Sequence, residues 1–492
     1  MKKRSLWISA VAATAVAVAL AGCGGTYYFT GRNLPPSGLL NRVMIAIQNP
    51  GPLTKGELEI VDAYYDIRYG VTGQPKFFSV AGYGGALPVS IQNMPEEQLG
   101  AVYGAGDGSF SLVNYGKESV SGTVSGLNGL SSSIFITRNG QWVFAASQQE
   151  NVLTIVNEDS GQSIALSLPG IYRVSVNPGG SVVMAFVLNS NYAYYPRELT
   201  TAQSQAYSGG PETWPKAAVD CEPQNAPQWC LFQAQSPDHV DATGNYYGTP
   251  LTFDRPVKAV FSTDGAIAYV MNCGPECGGS QSAVTLLPTA PMIFTPGLAS
   301  GRLPTEATMD TACPTTGNPT GCTIPMPGGA SNALVTSETM YVAGQELMPD
   351  GFWGGHMTVV DLSNDTAGSP ISISDGSPGE PSRMLMADDN TLWIGMIQCT
   401  NGERYNHNLP YGCLTMYNTQ THAVLLEPYA GDATGITAVT NLHKIYAVEG
   451  GQVYIYSTQN GQALDNQYVT TTGIAWDVAY MDSSTDSDNT VY

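Results

Sequence analysis

Basic side chains are scarce in this chain: 19 Lys and Arg stand against 40 Asp and Glu in 492 residues, with five histidines. The formal net charge of −21 repels nucleic acid and anionic lipid, which excludes both as general partners. Charged residues of all kinds make up 12% of the chain, and helix formers nowhere recur at the spacing of an amphipathic helix, so the helical fold classes fall away. After residue 20 no stretch is long and apolar enough to cross a bilayer as a helix. Signatures of catalysis are missing too. There is no Gly-x-Ser-x-Gly elbow, no Gly-rich phosphate loop ending in Lys-Ser or Lys-Thr, and no Cys-x-x-Cys-His. No two histidines have the spacing of a metal pair. His239 beside Asp238 and His407 near Glu403 are the two in a setting able to hold a metal, whereas His356, His422 and His443 read as surface or packing residues. The expectation is no catalytic residue, no metal and no cofactor. What the chain does have is turn formers and tyrosine, with 55 Gly and 27 Tyr, the composition of an exported all-β protein.

The N-terminus carries a targeting segment. Lys2, Lys3 and Arg4 precede an uncharged apolar run from Leu6 to Leu20, and Leu20-Ala21-Gly22-Cys23 follows. Small residues directly before a cysteine resemble the bacterial lipobox. That resemblance implies diacylglycerol on the Cys23 thiol, cleavage before it and acylation of the new amine. The rival is an uncleaved helical anchor, but the run falls short of the roughly 20 residues that a span needs. Two or three acyl chains anchor stably where one binds marginally. Gly24, rather than Asp, after the cysteine favours the outer membrane in a Gram-negative cell. The expected division is a signal peptide over 1–22, a lipidated tether over 23–38 and one folded unit over 39–492. The mature chain keeps 16 basic against 40 acidic residues.

Nine cysteines less Cys23 leave eight, in near neighbours: Cys221 with Cys230, Cys273 with Cys277, Cys313 with Cys322, and Cys399 with Cys413. Local pairs of this kind would staple loops in an oxidising compartment, although eight cysteines allow 105 pairings. Cys273-Gly-Pro-Glu-Cys277 could instead be half a zinc site, for which no second half has matching spacing.

Internal repetition decides the fold class. One unit reads Ser133-Ile-Phe-Ile-Thr, a turn at Arg138-Asn-Gly, Trp142-Val-Phe-Ala-Ala, then Val152-Leu-Thr-Ile-Val, a turn at Asp159-Ser-Gly, and Ser163-Ile-Ala-Leu. Four short strands separated by turns form an antiparallel meander, with Asn-Gly and Ser-Gly supplying the positive φ of tight hairpins. Copies begin near residues 89, 133, 172, 257, 332, 382 and 436, and insertions near 196–250 and 285–325 lengthen two of them. After the last full copy, Trp476-Asp-Val-Ala-Tyr is one more first strand. Asn41–Ile47, Leu58–Ala63 and Phe77–Val80 read as second, third and fourth strands with no first. Joined, they make a composite unit that seals a ring and leaves no sheet edge. The reading is an all-β, single β-propeller of four-stranded blades, eight favoured and seven if the weak copy at 89–125 is not a blade. A pair of β-sandwiches is the rival, and it does not account for the matching broken ends.

Units such as Leu153-Thr-Ile-Val-Asn-Glu-Asp-Ser-Gly-Gln and Val453-Tyr-Ile-Tyr-Ser-Thr-Gln-Asn-Gly-Gln resemble the YncE-like and surface-layer (YVTN) propeller repeats of bacterial envelopes. The resemblance implies a binding scaffold, with lactonase and quinoprotein enzymes on similar rings, and fold alone does not choose among them.

Aligning the first strands sets Tyr172-Arg173-Val, Val257-Lys258-Ala, Ser382-Arg383-Met and Trp476-Asp477-Val in one register. First strands are innermost, so Arg173, Lys258, Arg383 and Asp477 would stand at one mouth of the channel. Clustered cations in a concave place attract anions, and Arg suits a carboxylate. The alternative is that each cation pairs with an acid such as Asp477 or Glu380 to knit adjacent blades. Trp214 and the run Tyr192, Tyr194 and Tyr195 could stack sugars but suit packing better, and Asp482, Asp486 and Asp488 form an acidic tail. The expected protein is a monomeric envelope binding module outside the cell, held to a membrane through Cys23. Its partner would be an envelope protein, a glycan or a small anion. The alternatives are a propeller enzyme of lactonase or quinoprotein type and a structural surface-layer component.

Overall fold

The computed structural model describes residues 34–49, 51, 54–67, 78–235, 239–240, 246–294, 323–374, 379–399, 412–428 and 431–483. The expected signal segment, Cys23, Cys313, Cys322, Asp238, Glu403, His407, Asp486 and Asp488 lie outside the described residues.

Eight antiparallel sheets follow one another around a ring, each opening with an inner strand. Counting blades from the composite one, the inner strands of the first to the eighth are Ile474–Tyr480, Pro88–Met94, Ser133–Ile136, Ile171–Val176, Pro256–Phe261, Asn332–Val335, Glu380–Ala387 and Ala433–Val439. The protein is an eight-bladed β-propeller, and the weak copy at 89–125 is a full four-stranded blade. In each blade the second strand is covered on both faces by neighbouring blades. Trp142–Ser147 is buried throughout, and Val43–Ile47 and Ile445–Glu449 are equally enclosed. Such strands read as continuous apolar runs, whereas alternation needs one wet face. Each fully buried Val, Ile or Phe in them contributes about 1.5–3 kcal/mol.

The ring closes as the two broken ends require. The last strand, Ile474–Tyr480, pairs antiparallel with Arg42–Gln48 in the register Val43↔Tyr480 to Gln48↔Ile474. Glu57–Asp62 adds to the other edge of Arg42–Gln48, and Ser79 bridges Glu59 as the outermost piece. A buried ion cluster locks this seam. Arg42, 5% exposed, sends Nη2 to Asp482 Oδ1 at 2.6 Å, and Nη1 to Glu118 Oε1 at 3.0 Å and to the Tyr115 carbonyl at 2.6 Å. Ser37 donates its N–H to Glu118 Oε2 at 2.7 Å, so the expected tether ends earlier than residue 38, because Glu118 holds Ser37 to the ring.

The two insertions also need correction. Residues 196–198 finish the third strand Ala193–Glu198 of the fourth blade, and Trp229–Gln233 returns as its fourth strand with Ala218–Glu222 outside it. The Cys221–Cys230 disulfide is a cross-strand staple between those two strands. In the fifth blade, Ala283–Pro288 and Thr323–Pro325 are the third and fourth strands on either side of the second insertion. Phe294 leaves that insertion to pack on Trp142, Phe144 and Trp229, which fastens it to the third and fourth blades.

Arg42→Ala strands the buried Glu118 carboxylate and the partly buried Asp482, and the loss of one partner from a buried ion cluster costs about 3–5 kcal/mol. Equilibrium denaturation should show that loss, while Lys117→Ala, whose side chain is outside the cluster, should not.

Candidate functional site

The inner strands enclose a cavity of about 590 Å³ along the ring axis, and every one of the eight contributes to its lining. The cavity is basic in an acidic protein. Among the described residues that line it, Arg138, Arg173, Lys258 and Arg383 are cationic and Glu380 alone is acidic. The shared register of Arg173, Lys258 and Arg383 comes from a β-bulge. Tyr172, Val257 and Ser382 are each skipped in the pairing with the second strand, so the residue after each takes the same step of the ladder. A bulge re-aims a side chain in this way. The bulges were legible in principle, since Pro256 and Pro381 stand two residues before Lys258 and Arg383, as Pro88 does before Ser90, and proline within a sheet marks strand starts and bulges.

Three of the four aligned residues meet at the cavity. Arg173 is partly exposed, lies over the Tyr172 ring at 5.8 Å, and approaches Glu380 Oε1 at 3.8 Å. Arg383 Nη1 reaches the Ser382 carbonyl at 3.4 Å. Lys258 is 5% exposed, and its Nζ donates to Asn332 Oδ1 at 2.6 Å. Burial, then the Arg173 and Arg383 guanidiniums, hold the Lys258 ammonium well below the usual lysine range, with Glu380 opposing them.

Asp477 does not join them. It is 1% exposed; its Oδ2 accepts from Ile91 N at 2.8 Å and its Oδ1 from its own neighbour Val478 N at 3.0 Å. It belongs to the seam between blades, a role that register alone does not separate from a place in the channel. The eighth blade answers with Gly435 at the ring position, where a Cβ would stand 2.5 Å from Asp477 Oδ1.

Around the mouth, Glu276 of the Cys273–Cys277 disulfide loop accepts from Gln345 Nε2 at 2.8 Å, and Gln345 Oε1 in turn accepts from Gly379 N at 3.2 Å. Burial lifts the Glu276 carboxyl to about 7, against the pull of the Gln345 bonds and with Glu380 adding to the rise. Cys399 and Cys413 are also joined, so three of the four expected pairs are disulfides and the zinc reading of Cys273 and Cys277 is set aside.

The aromatic candidates are mostly packing. Tyr195 is buried and stacked on Phe232, Tyr194 packs on a core cluster, Trp214 Nε1 donates to the Gln224 carbonyl, and Tyr192 alone is exposed. One cluster escaped the sequence altogether. His443 Nδ1 lies 2.6 Å from Asp388 Oδ2 and 2.9 Å from Asp389 Oδ2, because the first hairpin turns of the seventh and eighth blades adjoin. Those two carboxylates raise the imidazole pKa. His356 is buried and 3.9 Å from Glu346, and His422 meets the Tyr417 hydroxyl at 2.6 Å.

Comparison with known proteins gives fold-level likeness alone. No family model and no curated protein matches the chain. Among solved structures, the Kuenenia stuttgartiensis hydrazine synthase is similar at 12% identity and TM-score 0.44, over 76% of this chain and 96% of that one. The dihydro-heme d1 dehydrogenase NirN gives 12% identity and TM-score 0.49 over 92% and 80%, respectively. The Pseudomonas aeruginosa periplasmic gluconolactonase PpgL gives 12% and 0.42 over 89% and 98%.

A carboxyl whose folded pKa is raised binds more protons folded than unfolded, so its stabilisation is complete at low pH and is lost as pH rises. For Glu276 the window runs from its ordinary 4.5 to about 7. Between pH 5 and 8 the wild type should lose about 2–3 kcal/mol relative to Glu276→Gln. Paired denaturation curves across that range check it.

Proposed function

We propose that this chain is a lipid-anchored, extracytoplasmic binding module whose ligand is a small carboxylate, or a carboxylate-bearing group on a glycan or envelope protein, received at the cationic mouth of the channel. The supporting observation is the sign of the lining at that mouth: Arg173, Lys258 and Arg383 against Glu380 alone, in a chain where acids outnumber bases about twofold. Such an excess in a concave, low-dielectric place concentrates anions against the field of the surrounding surface. Arg173 and Arg383 supply planar forks for a carboxylate, and the weak 3.8 Å contact of Arg173 with Glu380 leaves it free to exchange partners. Export, anchoring at Cys23 and outer-membrane sorting rest on the sequence.

The rival enzyme reading calls for a metal or a quinone in the channel. The lining does not suit a divalent cation, which takes several carboxylate or carbonyl oxygens, because Glu380 is the single acid there among the described residues and faces Arg173. An absorption spectrum without a quinone band in the purified protein keeps the binding reading; a band overturns it.

Titration calorimetry with lactate and with uronic acids at low salt should show binding that falls at least tenfold in Arg173→Ala and Arg383→Ala, and weakens as salt rises. Unchanged affinity in both variants would falsify the anion site. For the anchor, Cys23→Ala should move the protein from the membrane to the soluble fraction and abolish incorporation of labelled fatty acid.

A further inference from the structure

Lys258 is placed as a reactive amine is placed. Its stem lies in the channel wall at a bulge, its Nζ is enclosed, and its single hydrogen bond goes to an amide oxygen, Asn332 Oδ1, with no carboxylate within salt-bridge distance among the described residues. Asn332 is itself 2% exposed, and the same Oδ1 accepts from Ala333 N at 2.9 Å, which fixes the oxygen toward the amine. The charged groups facing Lys258 are Arg173 from the fourth blade and Arg383 and Glu380 from the seventh. Two cations and a dry site favour the neutral amine, which keeps a lone pair after donating one N–H to Asn332. Desolvation beside other cations is a known way of activating lysine toward carbonyl carbon.

We propose that Lys258 forms an imine with a 2-oxo carboxylate whose carboxylate group is held by Arg173 and Arg383. This inference rests on the anion-site reading and adds the ligand class to it. The Nζ lone pair attacks the carbonyl carbon, the C–N bond forms, and the carbonyl π pair goes to oxygen. The nitrogen gives up a proton while the oxygen gains one, giving a carbinolamine. Loss of that hydroxyl as water, with the remaining nitrogen proton, leaves the C=N bond. Amine plus oxo acid gives imine plus water, with no oxidant or reductant consumed. The bound carboxylate offsets the guanidinium charge that would otherwise oppose an iminium at this position.

The test is reductive trapping on the whole mature protein. Pyruvate with borohydride should leave one reduced pyruvyl group on the peptide containing Lys258, and lactate, which lacks the carbonyl, should bind without labelling. Trapping should rise far less between pH 7 and 9 than the about 100-fold by which an ordinary lysine gains neutral amine. Lys258→Met, close in volume, should lose the label. If that variant fails to fold, the position of the label in the wild type still decides. Pyruvate that binds but leaves no adduct, or labels another lysine, overturns the imine and spares the anion site. Failure of pyruvate and lactate alike to bind overturns both.

Discussion

Ring closure is the constraint on which everything else in this protein depends. A meander of eight sheets has two raw edges until Ile474–Tyr480 pairs with Arg42–Gln48. Pairing across more than 400 residues carries a loop-closure cost that grows only logarithmically with length, so distance in sequence is no bar. The seam is then secured by Arg42, which ties the chain start to the chain end and to the second blade at once. Closure also supplies what the inner strands lack. Each has an edge toward the channel with no strand to pair, and in five of them a side chain of the preceding blade serves an N–H group. Asp477 accepts from Ile91, Gln92 from Ile136, Ser133 from Val174, Ser175 from Ala259, and Thr437 from Tyr480. The last of these runs from the eighth blade back to the composite one, so the chain of bonds passes through the seam.

The same geometry governs electrostatics. Residues at one step of eight inner strands converge on an axis, and a handful of cations there acts as a cluster although the chain around them is acidic. Converging cations also work against one another. With Arg173 and Arg383 fixed nearby, the enclosed Lys258 is the group that yields its proton, since guanidinium does not. An outer acid, Glu276, holds its proton for the matching reason, enclosure with Glu380 close by. The mouth therefore sets an amine that releases its proton more readily than usual, and a carboxyl that holds its proton longer, beside two permanent cations.

Much of this was legible in the residues. Repeat starts, Asn-Gly and Asp-Gly turns and the unmatched ends gave the blade count, because each is a local signal with one structural meaning. Near-neighbour cysteines gave the three disulfides now seen. The inner register gave Arg173, Lys258 and Arg383, since a repeat copies position as well as shape. What escaped depended on contacts between blades. Asp477 shares the register yet bonds to Ile91, and no pattern within one unit says which way it turns. Glu276 and Lys258 of one blade meet Gln345 and Asn332 of the next, and His443 meets Asp388 and Asp389 only when two hairpins adjoin. The insertion boundaries failed at 196–250 because the fourth strand there, Trp229–Gln233, returns after a detour that breaks the spacing.

Strand alternation has an orientational consequence. Inner strands start at the cationic mouth, so second strands begin at the opposite face, and Arg42 opens a second strand. Ser37, Glu118 and Asp482 gather beside it there, as do the departures of both long detours, after Glu198 and after Pro288. The chain start and both departures therefore share the face of the ring opposite the basin of cations, which stands clear of them like the bowl of a cup standing on its foot.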